Sequence, residues 1–459
     1  MDRFAASRSW YWRMKKWLAW FAALLERLSP YLAVALLTFV YGIGVGKYGL
    51  PPATQLKQAM DAAQDWRDNW RHYLGIRSRH VEARPRQKGG VTVYDRERAF
   101  DGYTFVTAVY QDLAQALLLD MDGNIVHRWT VDPRELWPDK IEESPAGILR
   151  DMSIHGASMT PEGDAIMNVY GLGTVKLDRC SRPLWSVDYE THHDFDFLPD
   201  GDLLIVGWRR ITEERPDRPR LYPGPEGYYL DETLIRVSPE GEILEEWSLI
   251  DALYASGRQE LLFSGTGSSV ASRVADPLHN NTVEILRPEM ADAFPLFEAG
   301  DIMVSFRNIN TILVLDGRTR KVKWSTTGPF LGQHDPDFLP DGHILLYDNR
   351  ITGGKALFGN TRLIELDPVS KRIVWEWEGE GEYAFYNRSR GEQAPLPNGN
   401  ILAVDAHGGR VFEVEPESGD VVWEWVNLVE PGWVSLVVDA ERYPADQVQF
   451  LGKPCPPAE

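Results

Sequence analysis

Through most of the chain, short apolar runs are broken by a polar turn and followed by a second run that ends on tryptophan. The pattern appears at 117–120 with Gly123 and Trp129, at 175–178 with Trp185, and at 234–237 with Gly241 and Trp247. It returns at 312–316 with Trp324, at 363–367 with Trp375, and at 411–414 with Gly419 and Trp423. The six tryptophans lie 48 to 77 residues apart. Between these units runs a second paired element, written His193-Asp194-Phe195-Asp196-Phe197-Leu198-Pro199-Asp200-Gly201 and again His334-Asp335-Pro336-Asp337-Phe338-Leu339-Pro340-Asp341-Gly342. Short strands with glycine turns at a period near 50 predict about four strands per unit, the signature of a β-propeller. The expected fold is therefore all-β, a six-bladed β-propeller over residues 92–459. Residues 433–451 are expected to close the ring against early strands near 92–110.

The first 91 residues follow another pattern. Residues 28–46 carry no charge, which predicts a transmembrane helix over 28–50. Of the seven basic residues among the first 50 (Arg3, Arg8, Arg13, Lys15, Lys16, Arg27 and Lys47), six precede it, against the acidic Asp2 and Glu26. The positive-inside rule then keeps the N-terminus cytoplasmic and puts the large domain on the periplasmic or extracellular side of an inner (plasma) membrane. Residues 1–27, with Trp10, Trp12, Trp17 and Trp20, form the expected interfacial basic-aromatic segment. No cleavage-site pattern follows the apolar run, which favours an uncleaved signal-anchor over a signal peptide. Over 51–91 a helical stalk and linker are expected. Its short amphipathic helix at 55–75 spaces Leu56, Met60, Ala63, Trp66, Trp70, Tyr73 and Leu74 by threes and fours.

The formal charge of −20 excludes a nucleic-acid partner, since phosphate neutralisation needs clustered Lys and Arg. Cys180 and Cys455 are the two cysteines, without zinc or redox spacing. Pairing in an exported domain and two free thiols both remain open.

The candidate chemistry lies in the repeats. His155, His193 and His334 each stand eight residues before a turn glycine, at Gly163, Gly201 and Gly342. The fourth blade has a longer version, in which His279-Asn280-Asn281 leads to Gly300. The last blade, at 391–399, lacks the histidine. Seven residues after the turn glycine come Tyr170, Trp208, Arg307, Asn349 and Ala406, followed one step later by Arg209, Arg350 and His407. Equivalent positions in a propeller gather in space, so these imidazoles, Arg307 and the asparagines are expected at one mouth of the channel. A zinc or copper site using several imidazoles and His192-His193-Asp194 is the rival. Arg307 argues against it by placing a cation where the metal would sit, so no metal is expected.

The His-Asp-x-Asp-Phe-Leu-Pro-Asp-Gly repeats, the His-x-Asn of blade four and the late Arg-Tyr-Pro at Arg442 resemble the bacterial aryl-sulfate sulfotransferases over roughly 145–450. The resemblance implies an exported six-bladed propeller moving a sulfuryl group from an aryl sulfate donor to a phenolic acceptor. It also implies ping-pong kinetics through a sulfohistidine, with neither cofactor nor metal. Carried over by motif, His334 becomes the nucleophile, with His279, His193 and Arg307 as further catalytic residues. Asn281, His155, Asn349 and His407 are then expected to bind substrate. An imidazole nucleophile of ordinary basicity would lose activity below about pH 6.5. Two alternatives come from other classes, a membrane-tethered propeller that only binds a ligand or protein, and a quinoprotein-like dehydrogenase. The latter would need eight blades and a cofactor site not visible in the sequence. Oligomeric state is left open.

Overall fold

The computed structural model describes residues 27–43, 80–111, 113–143, 152–218, 227–263, 275–351 and 358–455, together with Trp17, Trp20 and Trp66. Two compact units divide the chain, Met1–Leu74 and Gly75–Glu459. In the first, residues 27–43 are helical with exposed side chains. Among the described residues no helix is long and apolar enough to cross a membrane. Of the expected transmembrane helix over 28–50, residues 28–43 are helical. Residues 44–50, and the expected helix at 55–75 apart from Trp66, lie outside the described residues.

The second unit is built from six antiparallel sheets of four or five strands, with a small three-stranded sheet beside them. Each sheet corresponds to one sequence repeat and is called a blade here. The inner strands are Val437–Tyr443 in blade 1, Ile154–Met159 in blade 2 and Thr191–Phe197 in blade 3. Those of blades 4 to 6 are Asn280–Ile285, His334–Phe338 and Gln393–Pro395. Blade 1 thus takes its inner strand from the C-terminal region, paired with Tyr103–Tyr110. Blade 6 takes its outermost strand, Gly90–Tyr94, from the N-terminal side. The stretch at 77–90, expected as a linker, also supplies Val81–Ala83, which pairs with Trp433–Ser435 in the small sheet.

Apolar side chains alternate along the strands and are buried between neighbouring sheets, giving one hydrophobic cluster at each of the six blade interfaces. The recurring tryptophans act across the same seams. Trp129 donates to the Gly163 carbonyl (2.9 Å) and Trp185 to that of Pro239 (2.9 Å). Trp324 donates to Pro368 (3.0 Å), Trp377 to Gly419 (2.9 Å), and Trp423 from blade 6 to Met121 of blade 1 (3.0 Å). That last bond joins the end of the series to its start.

Around the axis the motif aspartates have a structural task. An inner strand leaves one row of N–H groups unpaired, and carboxylates of the preceding blade accept from it. Asp439 accepts from Ala157 N (2.7 Å), Asp194 from Val283 N (3.1 Å) and Asp196 from Ile285 N (2.8 Å). Glu284 accepts from Phe338 N (2.7 Å) and Asp335 from Gln393 N (2.9 Å). An axial channel of about 320 Å³ runs between these strands, with residues of all six blades on its wall. Cys180, in a turn of blade 2, is disulfide-bonded to Cys455.

Candidate functional site

At one end of the channel the repeated histidines meet. His193 lies with its ring centroid 4.9 Å from His155, 5.1 Å from His279 and 6.1 Å from His334. The backbone explains the convergence. In each of blades 2 to 5 the inner strand carries a register shift at or just beside its histidine, at 154/157, 191/195, 280/283 and 334/337. Bulges re-aim side chains. His193 (φ 51°), His279 (φ 54°) and Asp335 (φ 48°) adopt the left-handed conformation that non-glycine residues rarely take.

His155, His193, Asn281, His334 and Arg390 face a pocket of about 20 Å³, which Val438 of blade 1 also walls. The volume has room for about one water molecule. His334 is buried there, and its Nδ1 lies 2.7 Å from Asn349 Oδ1 and 3.2 Å from the Gly332 carbonyl. Both partners are acceptors, which assigns the proton to Nδ1. Nε2, buried and without a hydrogen-bond partner, keeps its lone pair. Burial, then the Arg307 charge, brings the His334 pKa down to about 3. The expected loss of activity below about pH 6.5 is therefore corrected, because this imidazole stays neutral far below that range.

Arg307 is largely buried and bonds only loosely to Asn308 Oδ1, at 3.2 and 3.3 Å. It does not line the pocket, yet its charge lowers the pKa of both His334 and His279. His279 Nδ1 sits 2.5 Å from Asp276 Oδ2. Burial lowers the His279 pKa, while Asp276 opposes the shift. His155 packs on Tyr170 (4.7 Å) and contacts Ser153 Oγ (3.1 Å). Asn281 donates to the Gln333 carbonyl (2.8 Å) and leaves Oδ1 unpartnered. Asn349 acts on His334 from behind the pocket. His407 stands apart, with its N and Nδ1 near Asn387 Oδ1 (3.1 and 3.4 Å) and Nε2 4.0 Å from Glu82. Among the described residues it makes no ring contact with the histidine cluster.

Asp276, Glu232 and Arg390 join the site without having been singled out, and so does His192, considered before only as a ligand in the rival metal reading. His192 stacks on Trp208 at 4.0 Å and lies 2.7 Å, Nδ1 to Nδ1, from His193. The Asp-x-x-His spacing of Asp276 and the His192-His193 pair were the available signals. Among the described residues, two trios have atoms close enough to share a metal, Glu232/Asp276/His279 and Asp341/His343/Glu365. The first lies within the field of the Arg307 cation, and the second is at the surface.

Deeper in the channel the lining turns from imidazoles to carboxyl groups. Burial and mutual repulsion raise the pKa of Asp194, Asp337, Glu284, Glu392 and Asp439. Burial pushes Asp335 up to about 6 and Glu441 up to about 7.

No curated protein matches the chain. Among solved structures, a protein of unknown function from Bacteroides caccae is similar at 15% identity and a TM-score of 0.45, over 74% of this chain and 98% of that one. The WD40 β-propeller domain of Doa1 is similar at 11% identity and a TM-score of 0.39, over 78% and 95%. The β-propeller domain of Myceliophteria thermophila Cps50 (Swd1) is similar at 9% identity and a TM-score of 0.40, over 78% and 99%. A family model described as Arylsulfotransferase (ASST) matches residues 154–428, a span holding all four clustered histidines and Arg307. The chain belongs to the arylsulfotransferase family.

Proposed function

We propose that this chain transfers a sulfuryl group from an aryl sulfate ester to a phenolic acceptor through a sulfohistidine on His334. The observation that carries the proposal is the unpartnered Nε2 of His334, fixed by the Nδ1–Asn349 bond and held among imidazoles within the field of Arg307. Nε2 attacks sulfur, the S–O bond to the aryl group breaks, and the phenolate leaves with the electron pair. Asn281, on the pocket wall, supplies a donor for the sulfuryl oxygens, while Arg307 supplies positive potential and His279 stands beside His193 behind it. His193, which faces the pocket, gives the leaving phenolate its proton and later takes one from the acceptor. A volume of about 20 Å³ requires the side chains around Arg390 to part before an ester enters.

The test uses the domain without residues 1–50, supplied with 4-nitrophenyl sulfate and phenol. Transfer and a sulfated His334 peptide are expected from the wild type, and neither from His334→Ala. Wild-type turnover by His334→Ala would end the assignment. We also propose that residues 28–50 anchor the domain to a membrane, with the propeller on the exported side. The Cys180–Cys455 bond supports an oxidising compartment. Release of the full-length chain by alkaline carbonate would refute the anchor.

A further inference from the structure

We propose that Glu232, His192 and His193 form a proton relay that stores on Glu232 the proton exchanged between the two half-reactions. The inference rests on the sulfotransferase reading and adds positioning residues behind His193.

Glu232 lies in Tyr229–Val237, the strand of blade 3 next to Leu203–Ile211, directly opposite Trp208. Its side chain is fully buried, and neither carboxyl oxygen has a hydrogen-bond partner of good geometry. Its Oε2 lies 3.2 Å from Nε2 of His192. His192 is equally buried and stacks on Trp208, so its ring is held edge-on between the carboxyl and His193. In an extended strand, successive side chains point to opposite faces. Here the left-handed turn at His193 and the bulge at 191/195 bring the two rings together, Nδ1 to Nδ1, at 2.7 Å.

The chain of atoms accepts one consistent set of protons. A nitrogen pair at 2.7 Å holds a single proton, placed on His192 Nδ1 and directed at His193 Nδ1. His193 then carries its own proton on Nε2, on the ring that faces the pocket. The lone pair of His192 Nε2 faces Glu232, which is protonated at rest. Burial and the neighbouring Asp276 and Asp231 favour that neutral form, opposed by Arg307 and an N–H of Asn280. Burial likewise keeps His192 and His193 neutral.

When the S–O bond to the aryloxy group breaks, His193 Nε2 gives its proton to the phenolate. His192 Nδ1 passes its proton to His193 Nδ1, and Glu232 passes its own to His192 Nε2 after a small rotation of the carboxyl into line. The first half-reaction ends with a neutral phenol, sulfated His334 and ionised Glu232. The acceptor phenol returns one proton along the same path as its oxygen takes the sulfuryl group, restoring the start. One proton leaves and one comes back.

The test compares two donors in the first half-reaction, measured by rapid mixing at one pH. Phenyl sulfate expels a basic phenolate that needs a proton, while 4-nitrophenyl sulfate expels a weakly basic one. In Glu232→Gln both donors slow, and phenyl sulfate slows by at least about tenfold more. His192→Phe, which keeps the stack on Trp208, gives the same pattern and guards against a folding defect confined to the first variant. An equal factor for both donors, or no change, overturns the relay. Absence of sulfated His334 in the wild type would instead overturn the reaction on which the relay rests.

Discussion

Asn349 touches no face of the pocket yet sets which nitrogen of His334 can attack, so Asn349→Ala is a sharp probe. Asn349 Oδ1 accepts the Nδ1–H at 2.7 Å, and Nδ2 donates to the Arg390 carbonyl at 2.5 Å. Without the amide, the Gly332 carbonyl at 3.2 Å is the acceptor left to that proton. A neutral buried hydrogen bond contributes about 1 kcal/mol, and a donor left unsatisfied costs up to about 3 kcal/mol. As Nε2 bonds to sulfur the ring becomes positive, and a charge-assisted bond is roughly twice as strong as a neutral one. The loss therefore falls mainly on the transition state, at about 1.5–3 kcal/mol, or roughly 10–150-fold in rate. The assay is the burst of 4-nitrophenol with enzyme in excess, where the rate constant should fall by that factor and the half-saturating ester concentration should hardly move. Asn349→Asp should instead raise the His334 pKa through an opposed charge, so its rate should begin to fall at a higher pH than in the wild type. A folded Asn349→Ala protein with a burst rate within about twofold of wild type would refute the reasoning.

Arg307→Gln removes a charge that depresses the His334 pKa. The wild-type burst rate should show no loss from His334 protonation between about pH 5 and 8, and the variant's acid limb should move to higher pH, read from kcat/KM profiles. Glu413→Gln should cost about 3–5 kcal/mol, read as a lower urea midpoint, because Arg442 and Glu413 pair at 2.9 Å with both side chains fully buried. Glu441 should reverse the usual carboxylate trend. With its folded pKa at about 7, the native state holds a proton that the unfolded chain releases near pH 4.5, so stability falls as pH rises from about 4.5 to 7 and then levels. Glu441→Gln should gain on the wild type across that window, by on the order of 3 kcal/mol, and show no advantage below it. Paired urea titrations at several pH values decide it.

The repeat unit was legible because each blade needs the same apolar alternation, and because the repeated tryptophan bonds to a carbonyl of the next blade in five of the six, Trp247 being the exception. The histidine register was legible for the same reason, since His155, His193, His279 and His334 hold equivalent places at the inner strands. The aspartates of those motifs were a different matter. Asp194, Asp196 and Asp335 serve backbone N–H groups of the next blade, a pairing visible only once the inner strands lie side by side. Glu232 sits in mid-strand between Asp231 and Thr233, and only the bulge at His193 makes it relevant to the pocket. His407 shows the opposite failure, a match in register that packs against Asn387 instead. The depressed basicity of His334 depends on enclosure by several blades, which no local pattern states.

The strand that completes blade 1, Val437–Tyr443, leaves the ribosome after the other described strands, whereas its partner Tyr103–Tyr110 emerges long before it. Until Val437–Tyr443 emerges, that partner presents an unsatisfied edge beside an open seam. A nascent or C-terminally shortened chain is therefore sticky in a defined way, ready to borrow residues 437–443 from a neighbour and form a swapped pair. Catalytic competence and protection from such exchange arrive together, when Val438 takes its place in the pocket wall.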